Sequence, residues 1–242
     1  MNEEHQNPDF DLDEIKRIKE QYKRRDGKNF SRYGMLNPDV YKSRQEKERA
    51  LVRWLKYSGL SSVVDKLKLL EIGSGYGDNL LDFIRLGFDP KNLTGNDIIH
   101  ERVETSGSRL PSGVKIIECD AAALNLPENN FDVVFQSMVF SSILGIELRV
   151  KLADKMWRLA KPGGGILWYD FIYDNPQNED VKGIPVRQLK SYFPSKEIKI
   201  WKITLAPPIA RPVSRLNPNF YNLLNLFPLL RTHVLCWVKK AI

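Results

Sequence analysis

Few residues in this chain advertise chemistry by type alone. It has 242 residues with only two cysteines, Cys119 and Cys236, and three histidines. Two thiols so far apart offer no disulfide framework and no Cys/His metal spacing, so no metal is expected and a reducing compartment fits. No apolar run approaches the ~18 residues needed to span a bilayer. The start, Met1 to Asp13, is polar and acidic with no apolar stretch for a signal peptide. A cytoplasmic protein without a membrane span is therefore expected. Internal repeats and low-complexity tracts are absent, and residues 206–232 contain no acidic side chain. What is present is a hydrophobic content of 42%, enough for a full core and against wholesale disorder. The length suits one large domain with appendages.

The net charge of +7 is uneven. Residues 1–68 carry 16 Lys+Arg against 12 Asp+Glu, or +4; residues 69–172 carry 10 against 14, or −4; residues 173–242 carry 11 against 4, or +7. Basic flanks around an acidic centre give any site they cover a rim attractive to anions. The competing explanation is that Lys and Arg merely solvate the surface.

The N-terminal stretch reads as two helices. Asp11 and Glu14 resemble a capping pair, with Leu12, Ile15, Ile18 and Tyr22 as the apolar stripe. A second helix opens at Asn37-Pro38 and runs to Gly59, packing Leu51, Val52, Trp54 and Leu55. From residue 68 short strands alternate with helices. Strands are expected at Lys68–Ile72, Asn92–Ile99, Val114–Glu118, Phe131–Gln136 and Gly165–Ile172. The helices fall near 78–86, 101–106 and 146–160, and Lys161 to Gly164 reads as a turn. Such alternation means crossovers and a parallel sheet. A further helix at 187–192 and strands at 197–205 and 234–239 close the chain. The region 206–232 between those strands, rich in proline and apolar residues, is too long for a simple turn.

The strongest local signal is Leu69-Leu70-Glu71-Ile72-Gly73-Ser74-Gly75-Tyr76-Gly77. A buried strand ends in a glycine loop that permits a close backbone approach, and a helix N-terminus with free N–H groups follows. The dinucleotide pattern G-x-G-x-x-G is not met, because its third position is Asp78; the glycine is Gly77 instead. Asp97 closes the next strand, where a carboxylate can accept both ribose hydroxyls, or simply cap a helix. Asp120 follows the third strand, placed to accept from an exocyclic amine, with the next backbone N–H for a ring nitrogen. Lys161-Pro162-Gly163-Gly164 precedes the fifth.

In this order these motifs resemble the class I S-adenosylmethionine-dependent methyltransferases over roughly residues 65–172. The resemblance implies an α/β, Rossmann-like seven-stranded mixed sheet with the last strand antiparallel and helices on both faces. Residues 1–60 would form an N-terminal helical cover, and 61–242 the core with the insertion 206–232. It implies S-adenosylmethionine as cofactor, with S-adenosylhomocysteine as product, and not NAD. Glu71, Gly73 and Gly75 would line the methionine moiety, Asp97 the ribose, and Asp120 with Ala121 the adenine, with Ser74, Gly77 and Ile98 also among the cofactor-binding residues. Gln136 would lie near the sulfonium. The wider layout, including Asp170 to Pro176 and Leu229 to His233, resembles bacterial enzymes that methylate sugars and secondary metabolites.

The resemblance also narrows the acceptor. The boxes used for amino methylation of DNA bases and for cytosine C5 methylation are missing, since Gln136-Ser137-Met138-Val139 follows the fourth strand. A hydroxyl of a small molecule, anionic ones included, is favoured: a sugar, sugar nucleotide or secondary metabolite. An RNA methyltransferase and a non-catalytic cofactor-binding scaffold subunit remain as alternatives, and the oligomeric state is open. The base candidates are Asp170, then His233 and His100, each with a plain structural role as its rival. Residues 10–35 and 206–232 are expected to fold over the acceptor pocket. Tyr22, Phe30, Tyr33, Tyr41, Phe220, Tyr221, Leu224 and Phe227 are the aromatic and apolar candidates for its lining.

Overall fold

The computed structural model describes residues 8–29, 33–175 and 178–242; Phe30 lies outside them. Seven strands form one sheet: β1 (Leu69–Ile72), β2 (Leu93–Asp97), β3 (Lys115–Glu118), β4 (Phe131–Ser137), β5 (Ala160–Phe171), β6 (Ile198–Leu205) and β7 (Arg231–Lys239). Their order is β3-β2-β1-β4-β5-β7-β6. β1 to β5 pair in parallel, and β7 runs antiparallel to both β5 and β6. The chain steps outward from β1 to β3 and then returns to the other side of β1 as β4. That reversal opens a crevice at the carboxyl ends of β1 and β4, where ligands of such sheets bind.

The helices are α1 (Pro8–Asn29), α2 (Pro38–Ser58), α3 (Asp78–Arg85), α4 (His100–Arg109), α5 (Ile146–Leu159), α6 (Val186–Ser191), α7 (Pro207–Leu216) and α8 (Pro218–Leu224). Successive strand residues point to opposite faces, and both faces are covered, so β1 is buried at every position. Leu70, Val134, Ile166 and Trp168 pack with α5 on one face. Leu69, Val133, Phe135 and Leu167 pack on the other with Trp54 of α2 and Phe83 of α3.

Several elements depart from the pattern read in the sequence. α1 begins at Pro8, so Asp11 lies inside it rather than at its cap, and Leu12 is 64% exposed. Its buried positions are Glu14, Ile18 and Gln21. Glu14 is buried because its carboxylate accepts from Leu144 N (2.5 Å), Gly145 N (3.4 Å) and Arg17 (2.9 Å), ahead of α5. These bonds, with the Arg17 charge, hold its pKa below the usual value despite burial. α2 ends at Gly59 in the left-handed region (φ 73), and Val52 faces out. Lys161 to Gly164 is not a free turn but part of β5. Gly163 N–H donates to Lys240 O (2.9 Å) and Lys240 N–H to Gly164 O (2.8 Å), and the register with β4 shifts across it.

The region 206–232 folds into α7, α8 and a short turn, and it packs against α2. Arg211 reaches Asp39 (3.9 Å), and Tyr221 Oη donates to Glu46 Oε2 (2.9 Å). α1 lies elsewhere, over the turn after β4: Arg17 donates to Ser142 O (2.6 Å), and the Tyr22 and Ser142 hydroxyls share a bond (2.9 Å). The two segments expected to cover one pocket thus cover different parts of the molecule. Among the described residues no helix is long and apolar enough to cross a membrane.

Candidate cofactor site

β1 runs into a loop whose Gly73, Gly75 and Gly77 all have positive φ, a conformation most L-residues avoid. Gly73 is required twice over, because a Cβ there would collide with Val139 Cγ2. Ser74 N–H donates to Asn96 O (2.8 Å), and Gly75 N–H donates to Asp97 Oδ2 (2.8 Å). The second Asp97 oxygen accepts from Ile99 N–H (3.0 Å). Asp97 is thereby locked at the end of β2, with one lone pair on each oxygen still available. Asn96 ties β2 to the end of β3 through Cys119 O (2.8 Å). Asp120 caps the following turn by accepting from Ala122 N–H (3.0 Å).

Gly73, Asp97, Ile98, Asp120 and Ala121 line one cavity. Ile15, Ile18 and Tyr22 of α1 close it from above. The Arg102 guanidinium lies 4.2 Å from the centre of the Tyr22 ring. No residue of 206–232 lines this cavity.

Beside the glycine loop lies a polar cluster under α2. Glu71 is fully buried; its Oε1 accepts from Asn79 Nδ2 (2.6 Å), while Oε2 is buried without a partner. Lys47 Nζ donates to Asn79 Oδ1 and sits 5.6 Å from the Tyr169 ring centre. Burial pushes the Glu71 carboxyl up to about 8 and the Lys47 ammonium down, against their mutual attraction. Ser74 Oγ is also buried and unpartnered. Further along, the Tyr169 and Thr204 hydroxyls bond (2.9 Å), and Leu205 N–H donates to Tyr221 Oη (3.3 Å). These positions carry no local motif. The one sequence signal was a charged pair, Glu46 and Lys47, a turn ahead of Ala50, Leu51 and Trp54 on the packed face of an amphipathic helix.

The remaining candidates fall in different settings. Gln136 is buried and turned into the protein, donating to Tyr169 O (3.4 Å) and accepting from Val139 N–H (3.0 Å). Asp170 is fully buried; it accepts from Ser141 N–H (3.2 Å) and Phe171 N–H (3.0 Å), and burial pushes its pKa up to about 7. His100 has its side chain 62% exposed between Glu118 (2.7 Å) and Glu104 (3.3 Å), and the Glu118 bond raises its pKa. His233 stacks on Tyr169 with ring centres 5.3 Å apart, and burial pushes it down to about 4. Of the proposed cover, Tyr22 lines the cavity and Tyr221 is buried against Glu46, whereas Tyr41, Phe220 and Phe227 are exposed. Among the described residues no group of three or more His, Cys, Asp or Glu could hold a metal ion.

Residues 70–168 match the family model described as a methyltransferase domain. A tRNA N(3)-cytidine methyltransferase of Gallus gallus is 30% identical over 125 residues, covering 48% of this chain and 34% of that protein. A ubiquinone/menaquinone biosynthesis C-methyltransferase of Azotobacter vinelandii is 28% identical over 124 residues, covering 49% of this chain and 48% of its own length. The chain thus spans about a third to a half of these curated relatives. The crystal structure of a SAM-dependent methyltransferase from Archaeoglobus fulgidus superposes with a TM-score of 0.56 at 18% identity, covering 79% of this chain and 92% of that one, which shows the fold. Residues 70–168 match the methyltransferase-domain family, and the sheet that carries them has the fold of a solved SAM-dependent methyltransferase.

Proposed function

We propose that this chain transfers the methyl group of S-adenosylmethionine to a small-molecule acceptor, with a hydroxyl as the favoured acceptor group. The observation that supports it best is Asp97, pinned by Gly75 and Ile99 at the mouth of a cavity that also holds Asp120 and Ala121. When bound, the cofactor supplies an electrophilic methyl with a neutral leaving group. Asp97 would hold the two ribose hydroxyls through its free lone pairs, and Asp120 with the Ala121 N–H would read the adenine edge. Glu71 and Lys47, a carboxyl and an amine whose charged forms burial disfavours, would be drawn into those forms by the opposed charges of an amino acid's zwitterionic head. The unpartnered Glu71 Oε2 would take the ammonium and Lys47 the carboxylate.

On the acceptor side we assign no base: His233 lies outside the cavity lining, and burial lowers its pKa to about 4, which disfavours taking up a proton. Both Asp170 oxygens serve backbone N–H groups, so it acts as a positioning residue for the turn after β4. His100, exposed and ion-paired, takes no role. A second reading, RNA methylation, is favoured by the net charge of +7 and by the tRNA-modifying relative. The test is a homocysteine-release assay over hydroxyl-bearing small molecules, quinones and tRNA. Turnover on small molecules supports the proposal and turnover on tRNA alone replaces it. Tight cofactor binding with no turnover leaves a scaffold subunit.

A further inference from the structure

The outer surface of the segment after β6 carries a run of exposed apolar side chains. α8 is apolar on two faces. Tyr221 and Leu224 pack inward against the small cluster formed with Leu205 and Ala210. On the opposite side Phe220 (45%) and Leu223 (55%) of α8 are exposed at i, i+3 spacing, and Phe227 (57%), in the turn after the helix, joins them. Leu216, Leu226 and Leu229 flank them at 80%, 69% and 88% exposure. Six large apolar side chains within fourteen residues form a crowded patch rather than scattered singles.

The charge carried by the segment itself has one sign. Residues 206–232 hold Arg211, Arg215 and Arg231 and no acidic residue, with Arg211 paired to Asp39 of α2. The polar positions within the patch are asparagines, Asn217, Asn219 and Asn222, which cost less to bring to an interface than ions. Arg215, just ahead of the patch, is exposed.

We propose that α8 and its flanking turns are a docking surface for an anionic lipid bilayer. Apolar side chains with a basic surround are the composition of segments that lie in the headgroup region. Side chains exposed by 69–88% project as separate wedges, which suits a fluid phase. A second copy of this chain would set the arginines of one segment against those of the other, and like charges oppose such pairing. The segment leaves the sheet where β6 ends and β7 begins, at the carboxyl edge that also carries Asp97. Docking there brings that edge of the sheet to the membrane interface. The inference goes beyond the proposed function and stands whichever acceptor is used.

The test is co-sedimentation of the full chain with vesicles of phosphatidylcholine alone and of phosphatidylcholine containing about one-third phosphatidylglycerol. Binding to the anionic vesicles alone is expected. Leu223→Glu/Phe227→Glu should lower it by about tenfold or more, and Arg215→Gln by roughly fivefold. Unchanged binding of S-adenosylhomocysteine by each variant shows that it is folded. Absence of binding to anionic vesicles, equal binding to neutral ones, or binding insensitive to the double substitution overturns the proposal. Sedimentation velocity supplies the rival outcome: a dimer that the double substitution dissociates, with no vesicle binding, assigns the patch to a second copy.

Discussion

The two ends of this region, the cavity beyond β1 and β2 and the polar layer under α2, are built from different kinds of sequence. At the cavity end, Gly73 to Gly77, Asp97 and Asp120 each follow a short parallel strand, and each is held by backbone groups a few residues away or on the neighbouring strand. At the other end Glu71 meets Lys47 and Asn79, and beyond them Tyr169, Thr204, Glu46, Tyr221 and His233 form a polar layer drawn from α2, β5, β6, α8 and β7. The first end rests on local turn geometry, which tolerates change elsewhere in the chain. The second rests on the docking of α2 and α8, so its charges are poised only in the assembled fold.

The sharpest way to break this contrast is Asp97→Ala. Two backbone N–H groups and the ribose hydroxyls would lose a charged acceptor, so S-adenosylhomocysteine affinity should fall by about 3–6 kcal/mol. Calorimetry reads this, and an affinity within a factor of a few of wild type would remove Asp97 from the site.

Next comes the pH dependence of stability, which belongs to the assembled end. His233 is depressed from 6.5 to about 4, so the unfolded chain binds the extra proton between those values and stability rises with pH across that window. Asp170 is raised from 3.8 to about 7, so the folded chain holds the extra proton and stability falls as pH rises from about 4 to 7. The two slopes largely cancel from pH 4 to 6.5, which leaves Glu71, raised from 4.5 to about 8, to make wild-type stability fall as pH rises. His233→Leu should unmask the Asp170 slope and steepen that fall by up to about 3 kcal/mol from pH 4 to 6.5. Urea unfolding over a pH series measures it; a variant with the same slope as wild type would contradict the balance.

A smaller effect is expected for Tyr221→Phe. It strips the buried Glu46 carboxylate of its donor and Leu205 N–H of its acceptor, costing about 2 kcal/mol of stability. Cofactor affinity should hold, since Tyr221 does not line the cavity. A fall in affinity equal to that of Asp97→Ala would show that the two ends are not separable.

The smallest effect is also the most selective. Lys47→Met should weaken S-adenosylhomocysteine by about tenfold, one charge-assisted contact, and leave adenosine unchanged. Equal losses for both ligands would mean that α2 docking, and not the methionine carboxylate, depends on Lys47.

The sheet was legible because its signals are short-range. Strand length, the glycine loop and the alternation of strands and helices all sit within a few residues, and the antiparallel β7 agrees with the resemblance those motifs carry. Less was legible where burial is set by a distant partner. Glu14 reads as half of a capping pair, yet it is buried because Leu144 and Gly145, far along the chain, donate to it. Lys161 to Gly164 has turn composition, but pairing with Lys240 draws it into β5.

By itself the sequence determined which residues end the parallel strands, and so the order in which Gly73, Asp97 and Asp120 meet the crevice. Strand period and turn chemistry are local, and a parallel sheet with its reversal at β1 and β4 places such residues on one edge. The tertiary structure alone decided that α1 closes the cavity while α7 and α8 lie on α2. It also decided that Glu71 and Lys47 share Asn79, and that Asp170 and His233 are sealed from water. The physical reason is that hydrophobic periodicity marks the face a helix buries but carries no record of what it is buried against. The desolvation that shifts Glu71, Asp170 and His233 arises only once that partner is in place.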